Sequence, residues 1–142
     1  MAPLDHEGLG VGRLLPQVPL PACPYIPGQG PRPELEGPDP WLWGIDLFNH
    51  GFYWEAHEVW EGLWQACPKQ SPEGLALRGL IQAAAACLKS RLGNARGREI
   101  LSARAIDTLE ASGFDDWRGI VLRELVEGLR GLPRRFYLRP RG

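Results

Sequence analysis

Cysteine is scarce in this 142-residue chain, and what is present does not pair. Cys23, Cys67 and Cys87 are odd in number and far apart. That excludes a disulfide framework and gives neither a redox Cys-x-x-Cys nor the close spacing of a zinc site. Net charge is equally lacking: sixteen Lys and Arg against seventeen Asp and Glu leave −1. The body of the chain therefore has none of the positive potential that drives binding to a phosphate backbone, and nucleic acid is not expected as its partner. No apolar run approaches the roughly 20 residues of a spanning helix, so no membrane is expected. The N-terminal stretch has no basic start, and prolines interrupt 14–26, so no secretion signal is expected either. These absences point to a reducing compartment, the cytoplasm. No alternating run of strand length stands out.

Proline is abundant but unevenly placed. Residues 1–38 hold nine of the fourteen, with many glycines and no amphipathic period, which predicts an extended arm. Leu20, Tyr25 and Ile26 are its candidate anchors onto a core. From residue 39 the signals change to helix. Asp39 before Pro40 is a cap and a first-position proline, predicting a helix over 40–50. Gly51 stops it. A second helix covers 52–66 until Pro68, and Ser71-Pro72-Glu73 opens a long third one reaching Gly93. Alanines at 83–86 remove bulk and invite close approach of a neighbour, with Cys87 beside them a small buried hydrophobe. A fourth helix is predicted over 96–111. A fifth follows Asp116 on the stripe Trp117, Val121, Leu125, Leu129, until Pro133 forbids continuation. The fold class is thus all-α: a compact antiparallel bundle of about five helices over 39–132, with a Pro-rich arm over 1–38 and an Arg-rich tail over 133–142. Arg130, Arg134, Arg135, Arg139 and Arg141 give that end a local positive footprint, read as a frayed terminus or as the one place an acidic or nucleic-acid partner could touch.

Chemistry concentrates in the second helix. At the 3.6-residue period, Tyr53, Ala56, Trp60, Leu63 and Trp64 share a core arc. With Tyr53 at zero, His57 falls at about 40°, Glu61 at about 80° and Glu58 at about 140°, all on one flank. Glu55 points to the far side. Trp54 lies on the Glu58 side and is the candidate contact aromatic, the other tryptophans of this helix reading as core. The third helix centres its apolar stripe on Leu77, Ile81, Ala84, Leu88 and Leu92, and carries Arg78, Gln82 and Lys89 on its flank. In a hairpin of these two helices an acidic flank with a histidine would face a basic flank with an amide.

Such a polar site has more than one reading. As an ion-pair network it fixes helix register in a structural or interaction module, with a protein partner or a second copy of the chain. As a pocket it makes Glu58 or Glu61 a general base, His57 a proton shuttle and Arg78 or Lys89 an anion holder, in a hydrolase-like enzyme acting on a small molecule. Metal binding is the third reading. His57-Glu58-Val59-Trp60-Glu61 is half of H-E-x-x-H with Glu61 in place of the second histidine, and the later helices offer no histidine. His6 and His50 lie elsewhere, so no metal site and no cofactor are expected.

The run Asn49-His50-Gly51-Phe52-Tyr53-Trp54-Glu55-Ala56-His57-Glu58-Val59-Trp60-Glu61-Gly62-Leu63-Trp64, followed by Gly79-Leu80-Ile81-Gln82-Ala83-Ala84-Ala85 and Gly93-Asn94, resembles the two motifs of the domain-of-unknown-function family 309, over roughly residues 41–112. The resemblance implies a small all-α protein of prokaryotes and plastid-bearing organisms, and hence a plastid if the source is a photosynthetic eukaryote. It implies no reaction. The family's motif positions fall on Asn49, Gly51, Glu55, His57, Glu58, Glu61, Trp64 and Gln82, with Lys89 where histidine or lysine is expected. The arm and the tail lie outside it.

Overall fold

The computed structural model describes residues 12–35 and 37–141; the start of the arm, His6 included, and residues 36 and 142 lie outside the described residues. Helix α1 (Pro40–Asn49) begins where the Asp39 carboxylate accepts the Leu42 N–H at 3.1 Å and Pro40, with no N–H to lose, takes the first position. Gly51, at φ +87°, then turns the chain into α2 (Tyr53–Gln65). Helix α3 (Pro72–Arg91) repeats the start signal with the Ser71 hydroxyl accepting from Gly74 N–H at 3.0 Å. Helix α4 (Ala95–Ser112) is capped by Asn94 and ends at left-handed Gly113. Helix α5 (Leu122–Arg130) closes the set.

Helix α3 lies at the centre, with α2 on one side and α4 along the other. Small residues make that closeness available. Ala76, Ala83, Ala84 and Ala86 are fully buried, and the Leu109 side chain occupies the space that a Cβ on Gly79 would need. Gly44 does the same between α1 and α2: the Trp60 indole lies against its Cα, donating to the Trp41 carbonyl at 3.4 Å. Around Trp60 the rings of Trp41, Phe48 and Trp117 gather, with Trp41–Trp117 edge-on at 5.0 Å and Phe48–Trp60 stacked at 6.2 Å. Each such aromatic hides roughly 150–250 Å² of surface, so the core of this small bundle rests largely on them. Among the described residues no helix is long and apolar enough to cross a membrane.

Two expectations about helix limits are corrected. The fifth helix does not start at Trp117. Asp116–Trp117 (β1) and Ile120–Val121 (β2) instead form a small antiparallel hairpin, with Asp116 opposite Val121 and Trp117 opposite Ile120. Arg118 (φ +49°) and Gly119 (φ +87°) supply the two positive φ angles that a tight hairpin turn requires, and β-branched Ile120 and Val121 suit a strand. The apolar stripe is still buried, although across the hairpin Trp117 shares its face with Ile120 and not with Val121. Leu92, placed on the α3 stripe, lies beyond the helix end and is 44% exposed.

Both ends of the described chain are docked. On the arm, Leu15 is buried, Leu20 packs against the core and the Tyr25 ring packs against α2, while Ile26, the third expected anchor, is exposed. The tail is not frayed: Leu138 is 2% exposed, Phe136 packs on Phe48 at 5.5 Å, and Arg141 N–H donates to the Gly119 carbonyl at 2.8 Å. The apolar group Phe136-Tyr137-Leu138 inside the arginines is the physical reason.

Candidate functional site

Three buried polar side chains on α1 and α2 hold these ends. Asp46 accepts from the backbone N–H groups of Leu14 at 2.7 Å and Leu15 at 2.8 Å and pairs with Arg13 Nε at 3.0 Å. Asn49 treats the tail as a neighbouring strand would: its amide donates to the Leu138 carbonyl at 2.8 Å while its oxygen accepts the Leu138 N–H at 2.7 Å. Glu55, expected on the far side of α2 and away from the other acids, does point away, but not into solvent. It is fully buried under the arm, and its Oε2 accepts the Tyr25 N–H at 2.8 Å. Its Oε1 has no partner among the described residues. Burial raises the Glu55 pKa above its usual value, against the lowering effect of the Tyr25 hydrogen bond and the charge of Arg91.

The other candidates do not assemble into one site. His57 Nδ1 lies 3.1 Å from Glu58 Oε2, and His57 Nε2 lies 3.9 Å from Glu61 Oε2, so the two carboxylates flank the imidazole on opposite edges instead of converging on a point. Among the described residues, no ion pair within 4.0 Å or hydrogen bond joins them to Arg78, Gln82 or Lys89. Arg78 is exposed, Lys89 half-buried, and Gln82 leaves its buried Oε1 without a partner. The hairpin of α2 and α3 exists, yet long side chains at its solvent edge gain too little from pairing to hold one geometry. Trp54, the expected contact aromatic, is 8% exposed, since the Tyr25 ring lies tilted against it at 4.4 Å and Arg32 lies over it at 5.9 Å. Beside it, Glu58 and Val59 line two hollows under the arm, of about 230 and 740 Å³. Among the described residues no three of His, Cys, Asp and Glu come together where a metal could be held.

A different site emerges at the opposite end of α2. A cavity of about 680 Å³ is walled by Leu20, Pro21, Ala22 and Pro24 of the arm, His50 and Phe52 of the α1–α2 turn, Tyr53, then Cys87, Ser90 and Arg91 of α3, and Leu132, Pro133 and Arg135 of the tail. The described lining includes no Asp or Glu. Both arginines are fixed by the turn: Arg91 Nη1 donates to the Gly51 carbonyl, and Arg135 Nη2 donates to the Asn49 carbonyl at 2.9 Å. Their Nη2 atoms both lie within 3.4 Å of the point that a Cβ on Gly51 would occupy, so glycine is needed there for space as well as for φ. Two guanidinium groups so close repel by on the order of 1 kcal/mol even through water. Arg91 also lies over the Tyr53 ring at 4.8 Å, and Arg135 acts on the Tyr53 phenol from nearby. Burial first, then the nearby Cys87, push the Tyr53 pKa up to about 12 against the two arginines, so the phenol keeps its proton. Burial likewise pushes the Cys87 thiol up, leaving it an inert wall.

Reading the helices one face at a time misses Asp46, Asn49, Arg91 and Arg135. The available signals were Gly51, whose stop creates a turn that something must fill, and the apolar trio inside the Arg-rich tail. No curated protein and no solved structure matches the chain. The resemblance drawn from the two motifs is borne out: residues 41–101, from the start of α1 through the start of α4, match the family model described as domain of unknown function (DUF309).

Proposed function

We propose that the chain is a small binding module whose ligand site is the cavity at the Gly51 turn. One observation carries this reading: arm, turn, α3 and tail meet at a single cavity, and the buried polar residues Asp46, Asn49 and Glu55 are committed to holding the arm and tail in place. Apolar residues of similar size could hold a bundle together at no loss of stability, so buried polar clasps are better explained by the need for one defined arrangement of the ends. A concave, mostly apolar space with a few convergent polar groups is also the usual form of a small-molecule site. The acid/base alternative has less behind it, since neither His57 nor Glu61 lines any of the hollows described above.

The test is a ligand-observed NMR screen of the full chain against a small-molecule set, repeated on Ser90→Trp, which fills the cavity, and on Glu58→Gln. Ligands are expected to be lost in Ser90→Trp and retained in Glu58→Gln. The opposite pattern would return the function to the α2 flank.

A further inference from the structure

Resting on that reading, we infer that residues 19–25 of the arm form a hinged strap over the cavity, which swings about the Asp46 clasp when Tyr25 leaves Glu55 and so governs entry of the ligand. The first support is the inequality of the two clasps. At Asp46 the arm is held three times over, through Arg13 Nε and the N–H groups of Leu14 and Leu15, with Leu15 buried. Just beyond, the chain fastens to itself, Val18 N–H donating to the Leu15 carbonyl at 3.0 Å and Arg13 Nη2 to the carbonyls of Leu15 and Val18. At Glu55 one oxygen takes one N–H, and the Tyr25 ring adds a tilted contact with Trp54. A single hydrogen bond opens at far lower cost than a set that must break together.

The second support is what lies between the clasps. Leu20, Pro21, Ala22 and Pro24 wall the cavity, yet Ala22 and Pro24 are also exposed, so this wall is one thickness of chain. Pro19, Pro21 and Pro24 have no N–H to tie down and stiffen the segment, so it moves as one piece. Leu20 packs against the core and holds the strap shut through apolar contact. Cys87 walls the same cavity at 3% exposure, and burial keeps its thiol in the unreactive protonated form. Lifting the strap admits the water that makes this thiol reactive again.

The experiment is iodoacetamide labelling of the full chain carrying Cys23→Ser and Cys67→Ser, which leaves Cys87 as its one thiol, with and without Glu55→Leu. Amide exchange at Ala84, inside α3, gauges wider unfolding. Glu55→Leu removes the acceptor of the Tyr25 N–H and is expected to speed labelling about tenfold, the effect of one lost hydrogen bond to a carboxyl group, with Ala84 unchanged. An unchanged labelling rate overturns the strap, as does exchange at Ala84 that quickens in step with labelling. Should Glu55→Leu fail to fold, amide exchange on the unmodified chain decides. Tyr25 exchanging about tenfold faster than Leu15, each relative to its free-peptide rate, supports a latch that opens alone, and equal rates overturn it. No ligand enters these measurements. A strap that stays shut therefore leaves the cavity as the ligand site, and a small-molecule screen that finds nothing leaves the strap in place.

Discussion

His57, Glu58 and Glu61 stand side by side on a single helix and, among the described residues, their side chains pair with one another, whereas Arg91 and Arg135 come from the end of α3 and from the tail to meet at a turn belonging to neither. The first group is adjacent because of helical periodicity and would be adjacent in an isolated peptide. The second is adjacent only in the finished fold, held there by polar side chains buried elsewhere. Proximity that the chain must fold to create is the better indicator of a site, because local periodicity does not account for it.

The comparison can be broken by substitution. Asp46→Ala strips the partner from two arm N–H groups and from Arg13, and should destabilise the protein by about 3 kcal/mol in urea unfolding. A loss under about 1 kcal/mol would mean that the arm does not depend on its clasp. Glu55→Gln acts through pH. Because the folded chain holds the Glu55 proton more tightly than the unfolded chain, this residue favours the fold at low pH and progressively less as pH rises from the usual value of 4.5 toward the raised one. Stability measured against pH should therefore fall across that window more in the native chain than in Glu55→Gln, which can still accept the Tyr25 N–H. Parallel curves would show that the arm leaves this carboxylate hydrated. The smallest effect is expected on the flank. Glu61→Gln, at a residue whose side chain is 40% exposed, should change stability by no more than about 0.5 kcal/mol, and a larger loss would promote the flank to a structural network.

How much of this was legible differs by the kind of signal. Asp39-Pro40 and Ser71-Pro72 marked two helix starts to the residue because capping is a local matter of one side chain and one N–H. The hairpin before α5 was hidden by a stripe of period four that a helix also produces, although Arg118-Gly119 carried the turn. On α2 the core face was legible as Tyr53, Ala56 and Trp60, but the burial of Trp54 and Glu55 was not, for a reason of a different sort. They are covered by an arm without period, which meets Glu55 through a backbone N–H that any residue would offer and Trp54 through the side chains of Tyr25 and Arg32. The candidate site inherited that blindness: an acid on the polar face of a helical projection, such as Glu55, reads as solvated until something is seen to lie over it.

The amide of Asn49 carries a consequence for the order of folding. Its partner, Leu138, follows 89 residues later, so the end of α1 is synthesised long before the group that satisfies it exists. At about 5–20 residues per second, roughly 4–18 seconds of translation separate the two. The bundle can pack in that interval, but the wall that Arg135 contributes cannot, and long-range contacts of this kind form late. The cavity at the Gly51 turn is thus completed only after the helices have been made, and a ligand held in it would stabilise the finished fold without assisting the steps that precede it.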